Sequence, residues 1–483
     1  MSGKSSQFSI TKCEITADRF GGFEEKFFDV KTSVIELNIF ESLEKPYLTG
    51  NISIADDKGL FDLINFDGTE RIKLEVAGTG KNLDPVFERT MIMTSIEAAI
   101  KVEDNVSIVK FNLIDEHAFV SEVRRLRSSY RGTLSDIIAK ISAQELDLDI
   151  DLSYTLDAED NVIDSVQTEM RVIIPNLNPL NAIKWLLSRA TTKVGSPYYL
   201  WSTIHDDNLR LGNLDTMLRQ QAFNDKLPYT YNSANISTAE TGSDFEQGFT
   251  VKSISSKGSN NTLAQVQRGS IAADYCVTNL NTGQIFMKKY DIDTLLTNLN
   301  NEGTIDKRFQ NVFDNKFKLR DIPLNEYNSS IYHSVVSSGT YGEYKSYHDE
   351  YEKPLHVKKL ERVAIKNLLV KNMQIMTVPG TAFLVGKASV GDIVNTVIRN
   401  DNTEVSNDPE SVIDQNKSGH HLIHSIRHTF RETTHEVTMS ICKLERKGTK
   451  ESKLAGRGAK EKNKIRKNKV RGGKAILRGK RFV

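Results

Sequence analysis

Between Leu48 and Val76 the chain reads LTGNISIADDKGLFDLINFDGTERIKLEV. Leu48, Gly50, Ile52 and Ile54 fall on one side of an extended segment, and Thr49, Asn51 and Ser53 on the other. A period of two predicts a half-buried strand. Asp56-Asp57-Lys58-Gly59 supplies turn chemistry, and Leu60, Leu63 and Ile64 have helical spacing for one turn. Asp67-Gly68 turns the chain again, and Ile72, Leu74 and Val76 resume the alternation. The same pattern predicts strands near 8–16, 29–40, 46–55, 70–77, 88–100 and 106–115. Short strands separated by turn signals predict a first β-barrel over residues 1–118. Closure of that barrel would remove its exposed edges.

The periodicity then changes to that of helices. Thr133-Leu134-Ser135-Asp136 opens one helix, with Leu134, Ile137, Ile138 and Ile141 on one face. Asn178-Pro179 opens another through a cap and a first-turn proline, carrying Leu180, Ile183, Leu186 and Leu187. Arg171 to Ile174 reads as a strand, and 198–203 with 209–211 as a hairpin turning at Asp206-Asp207-Asn208. Residues 119–230 are therefore expected to form an α/β domain. Residues 231–292 read as a polar linker followed by strands of a second barrel near 263–290, and 293–368 as an insertion with a helix at about 354–368. Within it Tyr341, Tyr344, Tyr347 and Tyr351 form a stripe suited to packing or to a partner. Residues 369–446 are expected to complete the second barrel, with strands at 369–378, 381–385 and 391–398, a polar loop at 400–419 and a last hairpin. That hairpin sets Leu422, Ile426 and Phe430 against Val437, Met439 and Ile441. The fold expected is mainly β with α/β content: two antiparallel barrels, an intervening α/β domain and an insertion in the second barrel.

Composition narrows the class. The 483 residues suffice for two to four domains, and 38% hydrophobic with 8% aromatic content suffices for real cores. No apolar run approaches the ~18 residues that would span a bilayer, so no membrane insertion is expected. The start, MSGKSSQFSITK, lacks the apolar stretch of a secretory leader. Cys13, Cys276 and Cys442 are odd in number and far apart, which predicts buried free thiols and assembly in a reducing cytoplasm. The net charge of +1 hides an asymmetry: residues 447–483 hold ten Lys, five Arg and two Glu, a net +13, against −12 for the rest. Lys462, Lys464, Arg466, Lys467, Lys469 and Arg471 are the densest part, and six glycines between 448 and 479 disfavour a helix. Such a tail should be disordered in isolation. It suits a solvated arm, docking on an acidic neighbouring protein, or phosphate contact with nucleic acid. Phe482 is its one aromatic residue, which argues against reading bases by stacking.

Candidate chemistry is thin. His420, His421, His424 and His428 have a spacing that would suit metal ligation on a helix, but Ile426, Thr429 and Phe430 indicate a strand. Strand residues four apart lie about 13 Å from each other, too far to share one ion. Histidines facing solvent or a lumen are expected instead. Gly78-Thr79-Gly80-Lys81 fails as a phosphate loop, because Glu75 stands where the first Gly belongs and Asn82 where Ser or Thr belongs. It is expected to be a hairpin turn. There is no G-x-S-x-G or H-E-x-x-H, no carboxylate pair stands out, and Asp115-Glu116-His117 reads as a turn closing a strand. No catalytic residue, metal or cofactor is expected.

The unit Leu48–Val76 resembles the first barrel of the central baseplate hub protein of T-even-type contractile-tailed phages. Val378-Pro379-Gly380, Gly386 and Val390-Gly391-Asp392-Ile393-Val394 resemble late strands of that family's second barrel, which His421 to Leu444 would complete. In order of elements the resemblance spans about Phe8 to Arg446 and is poor at 293–353. It implies a structural virion protein, assembled in the host cytoplasm into the tail baseplate. Three copies would form a pseudo-sixfold ring joining a trimeric spike to a hexameric tail tube. Its partners would be further copies of itself, the spike, tube-type proteins and the tape-measure protein. A tail-associated peptidoglycan hydrolase and a nucleic-acid-binding tail protein are the alternatives from other classes.

Overall fold

Alternation becomes strand at nearly every segment where it was expected. The computed structural model describes residues 8–442 except 18–26, 60–65, 79–84, 156–169, 189–195, 232–247, 257–261, 296–317, 343–361, 381–387, 399–416 and some shorter interruptions. The expected one-turn helix at 60–64, the Gly78–Lys81 turn beyond Gly78, Gly386, Tyr344, Tyr347, Tyr351 and the whole basic tail lie outside the described residues.

Seven strands form the N-terminal unit: β1 Phe8–Thr16, β2 Phe28–Asp29, β3 Val34–Ser42, β4 Thr49–Asp56, β5 Arg71–Gly78, β6 Pro85–Glu103 and β7 Val106–Asp115. Their order is β3-β4-β7-β6-β5-β1-β2, and each neighbouring pair is antiparallel. Ile52 and Leu74 are fully buried in the core of this unit, together with Leu37, Ile39, Phe87 and Phe111. Gly50 shares the inward face of β4, where a Cβ would stand 2.7 Å from the Asn38 carbonyl oxygen. The close approach of β3 to β4 therefore requires glycine there.

The middle of the chain supplies β8 Ser129–Gly132, β9 Ile150–Tyr154, β10 Met170–Ile173, β11 Tyr198–Thr203 and β12 Asp206–Asn213, with helices Glu116–Val123, Leu134–Ile141, Pro179–Leu187 and Leu214–Leu218. Both helices expected from the sequence are capped as expected. Thr133 Oγ1 accepts from the Asp136 N–H at 3.2 Å, and Asn178 Oδ1 from the Asn181 N–H at 2.8 Å. Their apolar faces form a core with Val172 and Leu209. Two expectations fail here. Asp115-Glu116-His117 is the start of a helix, because the Asp115 carboxylate, a natural turn former, is committed to Arg89 and to the Leu48 N–H. The β11–β12 turn falls at Ile204-His205, while Asp206 and Asp207 belong to β12 and pair with Arg210 and Arg89.

The C-terminal part contains β13 Tyr229–Tyr231, β14 Ser253–Ser256, β15 Ala272–Asn279, β16 Ile285–Asp291, β17 Lys318–Leu319, β18 Ile322–Pro323, β19 Ile331–Val336, β20 Tyr341–Gly342, β21 Gln374–Pro379, β22 Ile393–Ile398, β23 Gly419–Arg431 and β24 Thr434–Cys442. Residues 362–367 are helical, and so are 369–370, where a strand was expected. Where strands of the second barrel were expected near 263–290, Thr262–Gln267 is helical and the strands that follow, β15 and β16, do not enter the second β unit. β15 has both edges filled, by β16 and β19, and these three form a separate sheet. Tyr341 pairs with Val172 of β10 and so ties the insertion to the α/β part.

The protein is mainly β with large antiparallel sheets. Among the described residues none of them closes on itself. The outer edge of β3 pairs with β23, and thirteen strands run through that junction as one sheet. The β23–β24 tip stands near the start of β1: the Phe8 N–H donates to the Thr433 carbonyl at 3.2 Å, and the Phe8 and Phe430 rings are 5.0 Å apart. No described helix is long and apolar enough to cross a membrane, a statement that does not extend to strands.

Candidate functional site at the seam of the two β units

Strand β23 carries the seam. Its first half pairs with β22, its second half pairs Ser425–Arg431 against Ser42–Glu36 of β3, and β24 lies along its other edge. On one face Asn38 collects the polar contacts. Its Oδ1 accepts from Arg427 Nε at 3.0 Å and Thr429 Oγ1 at 2.9 Å, and its Nδ2 donates to Asn51 at 2.8 Å. On the other face the apolar alternation of each strand is interrupted by a polar residue: Glu41 in β3, His428 in β23 and His435 in β24. All three are buried, at 1%, 0% and 1% exposure.

The Glu41 carboxylate accepts from the Ile204 N–H at 3.2 Å and the Val390 N–H at 3.3 Å, and faces His428 Nε2 at 3.3 Å. His428 Nδ1 lies 3.2 Å from His435 Nε2. One neutral arrangement satisfies the chain. His428 Nε2–H donates to Glu41, and His435 Nε2–H donates to His428 Nδ1. His435 Nδ1, which has no hydrogen-bond partner, then carries no proton and costs less than an orphaned donor. Burial, with His428 beside it, holds His435 well below the ordinary histidine pKa. The ring of His435 stacks on Phe430 at 4.2 Å.

Two buried arginines extend the joint into the α/β part. Arg89 of β6 donates to Asp115 at 3.2 Å, Ser202 Oγ at 2.9 Å and the Asp206 carbonyl at 2.9 Å, and also pairs with Asp207. Arg210 of β12 donates to Asp206 at 2.8 Å, Ser389 Oγ at 2.7 Å and Tyr154 Oη at 3.3 Å. Tyr154 in turn donates to Asp392 at 3.1 Å. Between Ser389 and Asp392 lies Gly391, with φ of 89° and a would-be Cβ 2.7 Å from Trp201. Only glycine combines that backbone with that contact. Each cluster links residues from different parts of the chain, so the buried polar groups of this region fix distant segments against one another.

The expected candidates separate. β23 is a strand, as expected from Ile426, Thr429 and Phe430. His420 is exposed and 2.9 Å from Asp225. His421 and His428, expected to face solvent or a lumen, are instead buried, because β23 is flanked on both edges and covered by packed residues on its inner face. Among the described residues no group of three or more His, Cys, Asp or Glu is placed to hold a metal ion. Cys13, Cys276 and Cys442 are buried and free, and burial pushes the Cys13 and Cys442 thiols up to about 12. Lys462, Lys464, Arg466, Lys467, Lys469 and Arg471 lie outside the described residues. Glu41, Arg89, Arg210 and His435 were missed as candidates. For three of them a signal exists: Glu41 follows Leu37 and Ile39, Arg89 follows Phe87, and His435 precedes Val437 and Met439, all at inward steps of two.

No family model matches the sequence, and no curated protein matches it. Among solved structures the chain is similar to the tail protein from Neisseria meningitidis MC58, with TM-score 0.46 and 10% identity over 90% of this chain and 97% of that one. It is similar to the 43 kDa tail protein of prophage MuSo2 from Shewanella oneidensis, with TM-score 0.47 and 11% identity over 90% and 98%. Prophage tail protein gp18 from Listeria monocytogenes EGD-e gives 0.40 and 10% over 91% and 96%.

Proposed function

We propose that this chain is a structural hub of a contractile phage tail. In this reading three copies form a ring of six similar β units that adapts a trimeric spike to a hexameric tube. The seam is the observation that carries it. The stretches that resemble the hub family contribute β4 and β5 on one side and β21, β22, β23 and β24 on the other, and these strands lie on one continuous sheet joined through β3 and β23. Six near-equivalent positions from three copies require the two units within each copy to keep a fixed relation. A seven-residue register with buried Glu41, His428 and two arginine clusters supplies that rigidity. The role is geometric and uses no turnover.

The basic tail acts as an arm. Lys462, Lys464, Arg466, Lys467, Lys469 and Arg471 engage an acidic surface of an adjacent tail protein. Native mass spectrometry of the purified chain, alone and with its spike, tests the hub reading. A trimer is expected, and a chain that stays monomeric in both samples while still joining tails would overturn it.

A further inference from the structure

We infer that the Glu116–Val123 helix and the extended run after it form a docking surface for another protein, which offers a short acidic segment carrying an apolar side chain. The helix ends at Val123, and Arg124 is already extended, with φ of −104° and ψ of 150°. From there the side chains alternate. Leu126 and Tyr130 are buried, while Arg125, Arg127 and Ser129 are exposed. Phe119 and Val123 stand about one helical turn apart and share a face, and Val123 is 71% exposed. β8 pairs Ser129 with Ile173 of β10, which is 51% exposed. Large apolar side chains thus flank the two arginines at both ends.

The arginines set the chemistry of the partner. Among the described residues, Arg125 donates to the Glu122 and Arg124 carbonyls, both at 3.0 Å, and Arg127 to Asn176 Oδ1 at 2.9 Å. These acceptors are neutral, and neither arginine pairs with a described carboxylate. Both carboxylates of the helix are engaged elsewhere, Glu116 with Arg71 at 3.1 Å and Glu122 with Asn178 Nδ2 at 2.9 Å. Glu145 pairs with Arg124 at 3.4 Å. Residues two apart on an extended run are about 7 Å from each other, which matches carboxylates two apart on an extended partner. An Arg fork can take each one through paired, charge-assisted hydrogen bonds. A bare polyanion would gain little from the apolar flanks, and the −12 carried by residues 1–446 repels it at long range. A protein segment therefore fits this face better than a nucleic acid.

Fluorescence anisotropy on the full chain tests this with labelled probes. They are a short peptide with a leading leucine and two glutamates at alternate positions, its glutamine twin, its twin with serine for the leucine, and a single-stranded oligonucleotide of equal charge. The basic tail attracts every anionic probe, so the variants leave it intact. Joint replacement Arg125→Gln and Arg127→Gln should weaken the leucine peptide at least about tenfold. The glutamine and serine twins should bind the parent chain more weakly than the leucine peptide does. Val123→Ser should weaken the leucine peptide and leave the serine twin unchanged, a selectivity that a misfolded variant does not show. All three positions are exposed, so the unfolding midpoints should match the parent chain. Equal affinity of parent and double variant for the leucine peptide would overturn the surface. Tighter binding of the oligonucleotide, lost in the same double variant, would overturn it as well by making it a phosphate site.

Discussion

His428 Nε2 and Glu41 Oε1 lie 3.3 Å apart on residues separated by 387 positions, and neither side chain is exposed. The contact crosses the strand pair, β3 with β23, that joins the N-terminal β unit to the C-terminal one among the described residues. Hydrophobic residues at both positions would have sealed the same seam. A carboxylate there additionally fixes the Ile204 and Val390 backbone N–H groups, which belong to the β11–β12 turn and to the Ser389–Asp392 loop. Glu41 thus holds three segments in one geometry.

Removing that carboxylate should be costly. Glu41→Ala leaves two buried N–H groups and His428 without their acceptor, and we expect a loss of about 3–5 kcal/mol. Glu41→Gln keeps an oxygen acceptor and should cost less. Denaturant unfolding checks both, and an alanine variant with an unchanged midpoint would mean that the seam does not depend on Glu41.

Acid should weaken the joint. Burial lowers His435 well below its ordinary value, and lowers His117, His205 and His424 in the same direction. A histidine whose folded pKa lies below its unfolded pKa binds fewer protons when folded. Its contribution is full above pH ~6.5 and declines as pH falls toward the folded value, by up to ~1.4 kcal/mol per pH unit for each such group. Thermal unfolding followed from pH 8 to pH 5 should show a falling midpoint below about 6.5. His435→Gln should flatten part of that slope, and a level profile in the parent chain would contradict the prediction.

Ile52 and Leu74 show what alternation could disclose. Their inward position follows from sequence spacing alone, and both are fully buried. The two capped helices were equally legible, since Thr133 and Asn178 act within their own turns. The seam was not legible, because Ser425–Arg431 finds its partner strand nearly four hundred positions away and β-pairing leaves no local mark of its partner. The polarity of His428 suggests an outward position, but its place between Ile426 and Phe430 in the alternation turns it inward. Glu41, Arg89 and His435 follow the same rule: each is a polar residue at an inward step. The Asp206-Asp207-Asn208 turn signal failed for a related reason, as Arg210 and Arg89 claim those carboxylates.

The N-terminal core should not accept charge at Ile52. Ile52→Asp buries a carboxylate against Leu37, Phe111 and their neighbours, at a cost of several kcal/mol, on the order of 3–5. Insoluble protein is expected, and soluble expression with an unchanged unfolding midpoint would show that β4 can invert its faces.

Arg89 should be more sensitive than its partner taken together with it. Arg89→Met strands the Asp115 carboxylate at 1% exposure, where it keeps the Leu48 N–H as a donor. A loss of about 3–5 kcal/mol is expected. Adding Asp115→Asn removes the stranded charge and should recover part of the loss. A double-mutant cycle by denaturant unfolding measures this, and strict additivity would show that the pair is not coupled.

Truncation before Lys447 should separate assembly of the ring from attachment of the next component. Residues 447–483 carry +13, whereas the preceding chain carries −12. The last described strand, β24, ends at Cys442. The truncated chain should therefore fold, trimerise and bind its spike as the full chain does. Contacts of the arm with an acidic neighbour are screened over about 8 Å at physiological ionic strength, so the defect of the truncated chain should be largest at low salt and shrink as salt rises. Co-sedimentation of truncated and full hubs with tail tubes across a salt series measures this. Addition of DNA to the same series identifies the other polyanion: if DNA competes the full chain off the tube, the arm prefers phosphates. Equal co-sedimentation of the two hubs at every salt concentration would reduce the arm to a solvated extension.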